Sequence, residues 1–194
     1  MRHLLVIVGL LGCLVHAGSS EAARADHHHR HHHHHAPKRQ PLAASVLAAA
    51  GDACNATMGS YEQRGQCIAA VSRATVDPSP AINACAQTMG SYEQRLACVQ
   101  ATAPATYDVS SSINECAQTM SSYEQRLACA QVISQKGADQ SAVLDACAQT
   151  MGSYEQRLDC ARFADNGERD AVQMINTCAQ AGGSYDDRLQ CLRN

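Results

Sequence analysis

Tryptophan is absent from this chain of 194 residues, and phenylalanine occurs once. With aromatics at 4% and an apolar fraction that leans on alanine and cysteine, a single large core of bulky side chains is excluded. No apolar run approaches the roughly 20 residues a bilayer-spanning helix needs, so no membrane span is expected. No Cys-x-x-Cys occurs, which removes the usual signature of thiol redox catalysis. Histidine is missing from Ala36 onward, and with it Ser–His, Cys–His and histidine–metal chemistry in that region. Positive charge is not in excess either. The 15 basic residues face 18 acidic ones, a formal charge of −3, which argues against a nucleic-acid partner.

The chain opens with an export signal. Met1-Arg2-His3 is a short basic start, Leu4 to Val15 an apolar run, and Val15-His16-Ala17 places small residues where a signal peptidase cuts. A signal peptide over 1–17 predicts a secreted or periplasmic protein in an oxidising compartment. A competing pattern, Leu10-Leu11-Gly12-Cys13, has the form of a lipoprotein box with Cys13 lipidated, but cleavage there would cut the apolar run before its end. Cleavage after Ala17 removes Cys13 and leaves ten cysteines, with 14 basic against 18 acidic residues and a formal charge of −4. An even cysteine count in an exported chain is the arithmetic of a disulfide framework.

Aligning the chain with itself exposes its organisation. The segments CNATMGSYEQRGQC, CAQTMGSYEQRLAC, CAQTMSSYEQRLAC, CAQTMGSYEQRLDC and CAQAGGSYDDRLQC begin at Cys54, Cys85, Cys116, Cys147 and Cys178, each 31 residues after the last. No unit has gained or lost a residue, even where the linkers diverge, so each unit is expected to meet its neighbours in one geometry. The units run approximately over 41–74, 75–105, 106–136, 137–167 and 168–194 within a helical domain at 41–194, behind a His-rich, disordered segment at 18–40.

Helical periodicity is visible within each unit. Leu144, Cys147, Ala148 and Met151 fall at i, i+3, i+4 and i+7, as do Ile82, Cys85, Ala86 and Met89. Gly152 suits the left-handed position that ends a helix, and Ser153 with Gln156 has the form of a capping box opening the next one. Tyr154, Leu158 and Ala161 then make an apolar stripe. Turn signals at Asp77-Pro78-Ser79-Pro80, Gly137 and Asn166-Gly167 precede new hairpins. The expected fold is all-α: five tandem αα-hairpins, stacked as a short, right-angled or gently curved solenoid, with a compact helical bundle as the alternative.

Twelve residues separate the cysteines of a unit, one on each side of the turn, so an antiparallel hairpin brings them opposite each other. The pairs Cys54–Cys67, Cys85–Cys98, Cys116–Cys129, Cys147–Cys160 and Cys178–Cys191 follow. A loop of this size closed by a disulfide stabilises by about 3 kcal/mol. Zinc ligation by cysteines of neighbouring units is disfavoured, because structural zinc sites use closer ligand pairs.

Two candidate sites remain. Tyr61, Tyr92, Tyr123, Tyr154 and Tyr185 recur with Arg64, Arg95, Arg126, Arg157 and Arg188. Arginine on the margin of the apolar stripe is expected to reach carbonyls at the end of the preceding helix, or a carboxylate in the next unit. As a surface ladder the same residues would bind an extended acidic or glycan partner. The fifth unit departs from the pattern, with Asp186-Asp187 and Ala181-Gly182, as a capping repeat does. The second site is the tract His27, His28, His29, His31, His32, His33, His34 and His35, able to bind Zn²⁺, Cu²⁺ or Ni²⁺. Arg30 interrupts it, unlike an expression tag. Cleavage after the dibasic pair Lys38-Arg39 would remove the tract and leave 10 basic and 16 acidic residues. Asn55-Ala56-Thr57 is a single glycosylation acceptor pattern, discounted because it falls inside an expected helix.

The residues therefore predict a non-enzymatic exported scaffold or structural component, binding a protein or glycan and needing no cofactor, with a metal-chelating tail. The alternative is a metal-handling protein in which the tail is the working part. Nothing in the residues specifies an oligomeric state.

Overall fold

The computed structural model describes residues 42–164 and 170–194, which belong to a compact unit bounded as Lys38–Asn194. The expected signal peptide, the histidine tract, Lys38-Arg39 and the Asn166-Gly167 turn lie outside the described residues.

Among the described residues there are ten helices and no strand, arranged as five hairpins. The first is α1 (Ala44–Thr57) and α2 (Tyr61–Val71). The others are α3 (Ser79–Thr88) with α4 (Tyr92–Thr102), α5 (Ser110–Thr119) with α6 (Tyr123–Ser134), α7 (Ser141–Thr150) with α8 (Tyr154–Phe163), and α9 (Ala171–Gln180) with α10 (Tyr185–Arg193). Each is only 9 to 14 residues long, too short to persist alone in water. Local sequence defines the ends and packing supplies the stability.

The even-numbered helices open with reciprocal capping boxes. Ser60, Ser91, Ser122 and Ser153 each accept from the backbone N–H of a glutamine three residues on, whose side chain accepts from the serine N–H in return. In the fifth unit Ser184 and Asp187 make the same pair. The helices α3, α5 and α7 open differently: Asp77, Asp108 and Asp139 accept from the N–H two residues on, at 2.9, 2.9 and 3.1 Å. Asp170 caps α9 through Val172 and Gln173.

Gly152 does not play the expected left-handed role, and nor do Gly59 and Gly90 at the same place in the first two units. Among the described residues, the positive-φ glycines are Gly182 and Gly183, both in the fifth unit. The first helix of units one to four ends instead at Met58, Met89, Met120 or Met151, each in extended backbone. These methionines are buried, and the extended step turns the side chain inward without a left-handed residue. Gly152, with Gly59 and Gly90, is needed for space rather than for φ, since a Cβ there would meet a tyrosine ring of the next unit.

The hairpins stack in register. Each helix packs on its hairpin mate and on the helix two positions away, so α1, α3, α5, α7 and α9 form one layer and α2, α4, α6, α8 and α10 the other. This is the solenoid, not the bundle. The five disulfides are the within-unit pairs, with Cα–Cα separations of 5.7 to 5.8 Å. Beside them one position per unit, Ile82, Ile113, Leu144 and Ile175, is fully buried, with Gly51 as its counterpart in the first unit. No described helix is long and apolar enough to cross a membrane.

Candidate functional site

The Tyr–Arg ladder lies at the seams between units. Within a unit, the arginine Nε donates to the methionine carbonyl six residues earlier: Arg64 to Met58, Arg95 to Met89 and Arg126 to Met120 at 3.3 Å, Arg157 to Met151 at 3.5 Å. Across the seam, Nη1 donates to the last carbonyl of the first helix of the preceding unit. Arg95 reaches Thr57 at 3.4 Å, Arg126 reaches Thr88 at 3.0 Å, Arg157 reaches Thr119 at 2.9 Å and Arg188 reaches Thr150 at 2.8 Å.

Carbonyls at a helix C-terminus have no partner within the helix and carry the negative end of its dipole. A guanidinium supplies donors in a fixed fork and a positive charge at that point. The arginine thus terminates two helices of different units at once. Of the two structural partners expected for it, a helix-end carbonyl is the one used.

Tyrosine completes the seam. The guanidinium carbon lies 5.0 to 5.1 Å from the ring centroid of Tyr92, Tyr123, Tyr154 and Tyr185 in the same units. A Cβ added to Gly59, Gly90 or Gly152 would lie 2.6 to 2.7 Å from the ring of Tyr92, Tyr123 or Tyr185 respectively. The ring of each later unit therefore occupies the space that the glycine leaves. At the third unit the equivalent residue is Ser121, and Tyr154 is correspondingly half-buried while the other tyrosines of the ladder are exposed.

Comparison with protein families, curated proteins and solved structures finds no match to this chain. What the site can do rests on its own geometry.

What remains at the surface of the ladder is acidic. Glu62, Glu93, Glu124 and Glu155 are exposed in the first turns of α2, α4, α6 and α8. Glu93, Glu124 and Glu155 are held below the usual carboxylate range, first by their own backbone N–H and then by the capping serine, with Gln63 adding to Glu93. Asp187 is lowered in the same way by the Ser184 hydroxyl and N–H. Tyr92, Tyr123 and Tyr185 stand beside this row with 43 to 48% of their surface exposed. The arginines of the ladder donate from Nε or Nη1 to backbone carbonyls of the seams.

A second polar network joins the third unit to the fourth through Ser112 and is flanked by a Tyr107 bond inside the third unit. Ser112, fully buried on α5, donates to Asp139 at 2.6 Å and accepts from the Gln140 N–H at 2.9 Å, and Tyr107 donates to the Ile133 carbonyl at 2.8 Å. Burial and the Asp139 charge push the Tyr107 phenol up to about 12. Burial opposes ionisation of Asp139, but hydrogen bonds from Ser112, Ser141 and Gln140 outweigh it and hold its carboxyl below the usual range. The signal was available: Asp77, Asp108, Asp139 and Asp170 keep the 31-residue step outside the motif that draws the eye.

All ten described cysteines are bonded in pairs, and no cluster of three or more metal-ligating side chains exists among the described residues. Asn55 is exposed in the last turn of α1, so burial does not exclude it as an acceptor.

Proposed function

We propose that this chain is an exported, non-enzymatic scaffold: a disulfide-closed helical stack that presents a row of carboxylates and tyrosine edges to a cationic polypeptide partner. The observation that carries the reading is the regular row of Glu62, Glu93, Glu124 and Glu155 at helix N-termini, fixed in spacing by the seams. A partner of matching charge engages several such sites at once, and each weak contact then adds to the whole. The disulfide density supports an oxidising extracellular setting.

A second reading is favoured by the arginines. Because the ladder's cations serve packing, the tract at residues 27–35 is the richest ligand set in the chain, and the stack would then hold a metal-binding tail outside the cell. Proximity labelling of the secreted protein separates the two. The scaffold reading expects partners that disappear when the four glutamates become glutamine and persist when residues 27–35 are deleted. The reverse pattern, with copper or zinc lost on the deletion, would establish the tail as the working part.

A further inference from the structure

The first unit differs from the other four in what covers it. Ile68 is 42% exposed, whereas its counterparts Val99, Ala130, Ala161 and Leu192 are buried. Leu47 is 38% exposed, and its counterparts Pro78, Val109, Gln140 and Ala171 are buried. Tyr61 is 91% exposed, about twice the value of any other ladder tyrosine. Among the described residues the fifth unit packs on the fourth unit alone, yet Leu192 and Ala171 are covered, so it is the preceding unit that covers these positions. The first unit therefore presents the corresponding face with nothing among the described residues against it.

That face also contains its own hollows. Gly51 stands where later units have Ile82, Ile113, Leu144 and Ile175, and Gly65 where they have Leu96, Leu127, Leu158 and Leu189. A Cβ at either glycine would meet nothing within 4 Å. On α1, Leu47 and Gly51 are one turn apart; on α2, Tyr61, Gly65 and Ile68 follow the i, i+4, i+7 stripe. Projecting side chains and vacant positions thus alternate on a single surface, which is the condition for a two-fold self-complementary contact.

We propose that the N-terminal end of the stack is a self-association face that closes two copies of this chain into a two-fold dimer, Ile68 and Leu47 of each copy entering the hollows at Gly65 and Gly51 of the other. Growth into a head-to-tail filament is disfavoured by the far end. There the Thr-Met pair that receives the seam is replaced by Ala181-Gly182, and Gly182 and Gly183 at φ +81 and +87 take the backbone off the path of the other units. The cost is visible in Arg188, whose Nε is buried without a partner where the other arginines find a methionine carbonyl. Two helices of 14 and 11 residues offer less than the about 800 Å² per partner of a standard interface, so the dimer belongs in the micromolar range or weaker.

Sedimentation equilibrium of the full secreted chain across the micromolar range tests this. The expected result is a mass that rises to twice the monomer and stops. Ile68→Glu and Leu47→Glu should each weaken the association at least about tenfold, with helicity and all five disulfides unchanged, because both residues are already exposed. A monomer at every concentration would overturn the proposal, as would a dimer indifferent to both substitutions. Species growing past two copies would overturn it in favour of head-to-tail contact.

Discussion

Arg126 on α6 donates from Nη1 to the carbonyl of Thr88 on α3, 38 residues back in the chain and one unit away, at 3.0 Å. The same fork donates from Nε to Met120 in its own unit. One side chain therefore couples hairpin closure to stacking. Hydrogen bonds from charged donors contribute roughly 1.5–3 kcal/mol. Arg126→Ala should cost more than Arg64→Ala, since among the described residues Arg64 has only its within-unit bond to Met58. Urea unfolding with disulfides intact measures both; equal losses would mean that the cross-seam bond contributes nothing.

Glycine is needed at position 90 because the Tyr123 ring lies where a Cβ would sit, at 2.7 Å. Gly90→Ala should destabilise by about 1–3 kcal/mol through overpacking, whereas Gly137→Ala, with nothing within 4 Å, should be close to neutral or stabilising. In a double-mutant cycle, Tyr123→Ala should relieve most of the Gly90→Ala penalty. Additive penalties would place the cost elsewhere than in this contact.

The disulfides should not be reduced together. Cys191 is exposed at the end of the stack, while both cysteines of each of the other four pairs are fully buried. Thiolate attack requires access to a sulfur. Under limiting reductant and rapid alkylation, Cys178 and Cys191 should be labelled first, with the other four bonds following only as units unfold. Simultaneous labelling of all ten cysteines would show that reduction proceeds through global unfolding.

The seam between the third and fourth units should respond to acid through Asp139, and the packing of Tyr107 inside the third unit should respond to alkali. The Asp139 carboxyl is lowered on folding, so its contribution is present above the ordinary carboxylate range and is lost as pH falls through the folded value. The Tyr107 phenol is raised to about 12, so its contribution is complete below its ordinary value near 10 and is lost as pH climbs towards 12. Ultraviolet titration should show a late phenolic component that disappears in Tyr107→Phe. Hydrogen exchange should show acid-induced opening at Ser112 and Gln140 that Asp139→Asn reproduces at neutral pH.

The unit length, the hairpins, the cystine pairs and the capping boxes were all legible in the sequence, because each depends on residues close together along the chain. Gly152 was misjudged for a physical reason. A glycine after a helix satisfies two different needs, a positive φ and a vacant Cβ, and only the neighbouring unit reveals which. The arginine fork was legible as a carbonyl ligand, but its second acceptor lies 38 residues away, and nothing local marks it. The acidic row was masked by the tyrosines and arginines beside it. The Asp139 contact has no repeated signature, because its partner Ser112 stands where other units have alanine, valine or methionine.

Every disulfide among the described residues joins cysteines that are nearest neighbours in sequence, 13 residues apart. In a chain exported as proposed above, the second thiol of each pair would emerge before the first of the next had appeared. An oxidase acting on the nascent chain would thus find one partner at a time, always the native one. Such a chain would mature from its N-terminus onward without an isomerase, each closed hairpin offering a template on which the next unit docks.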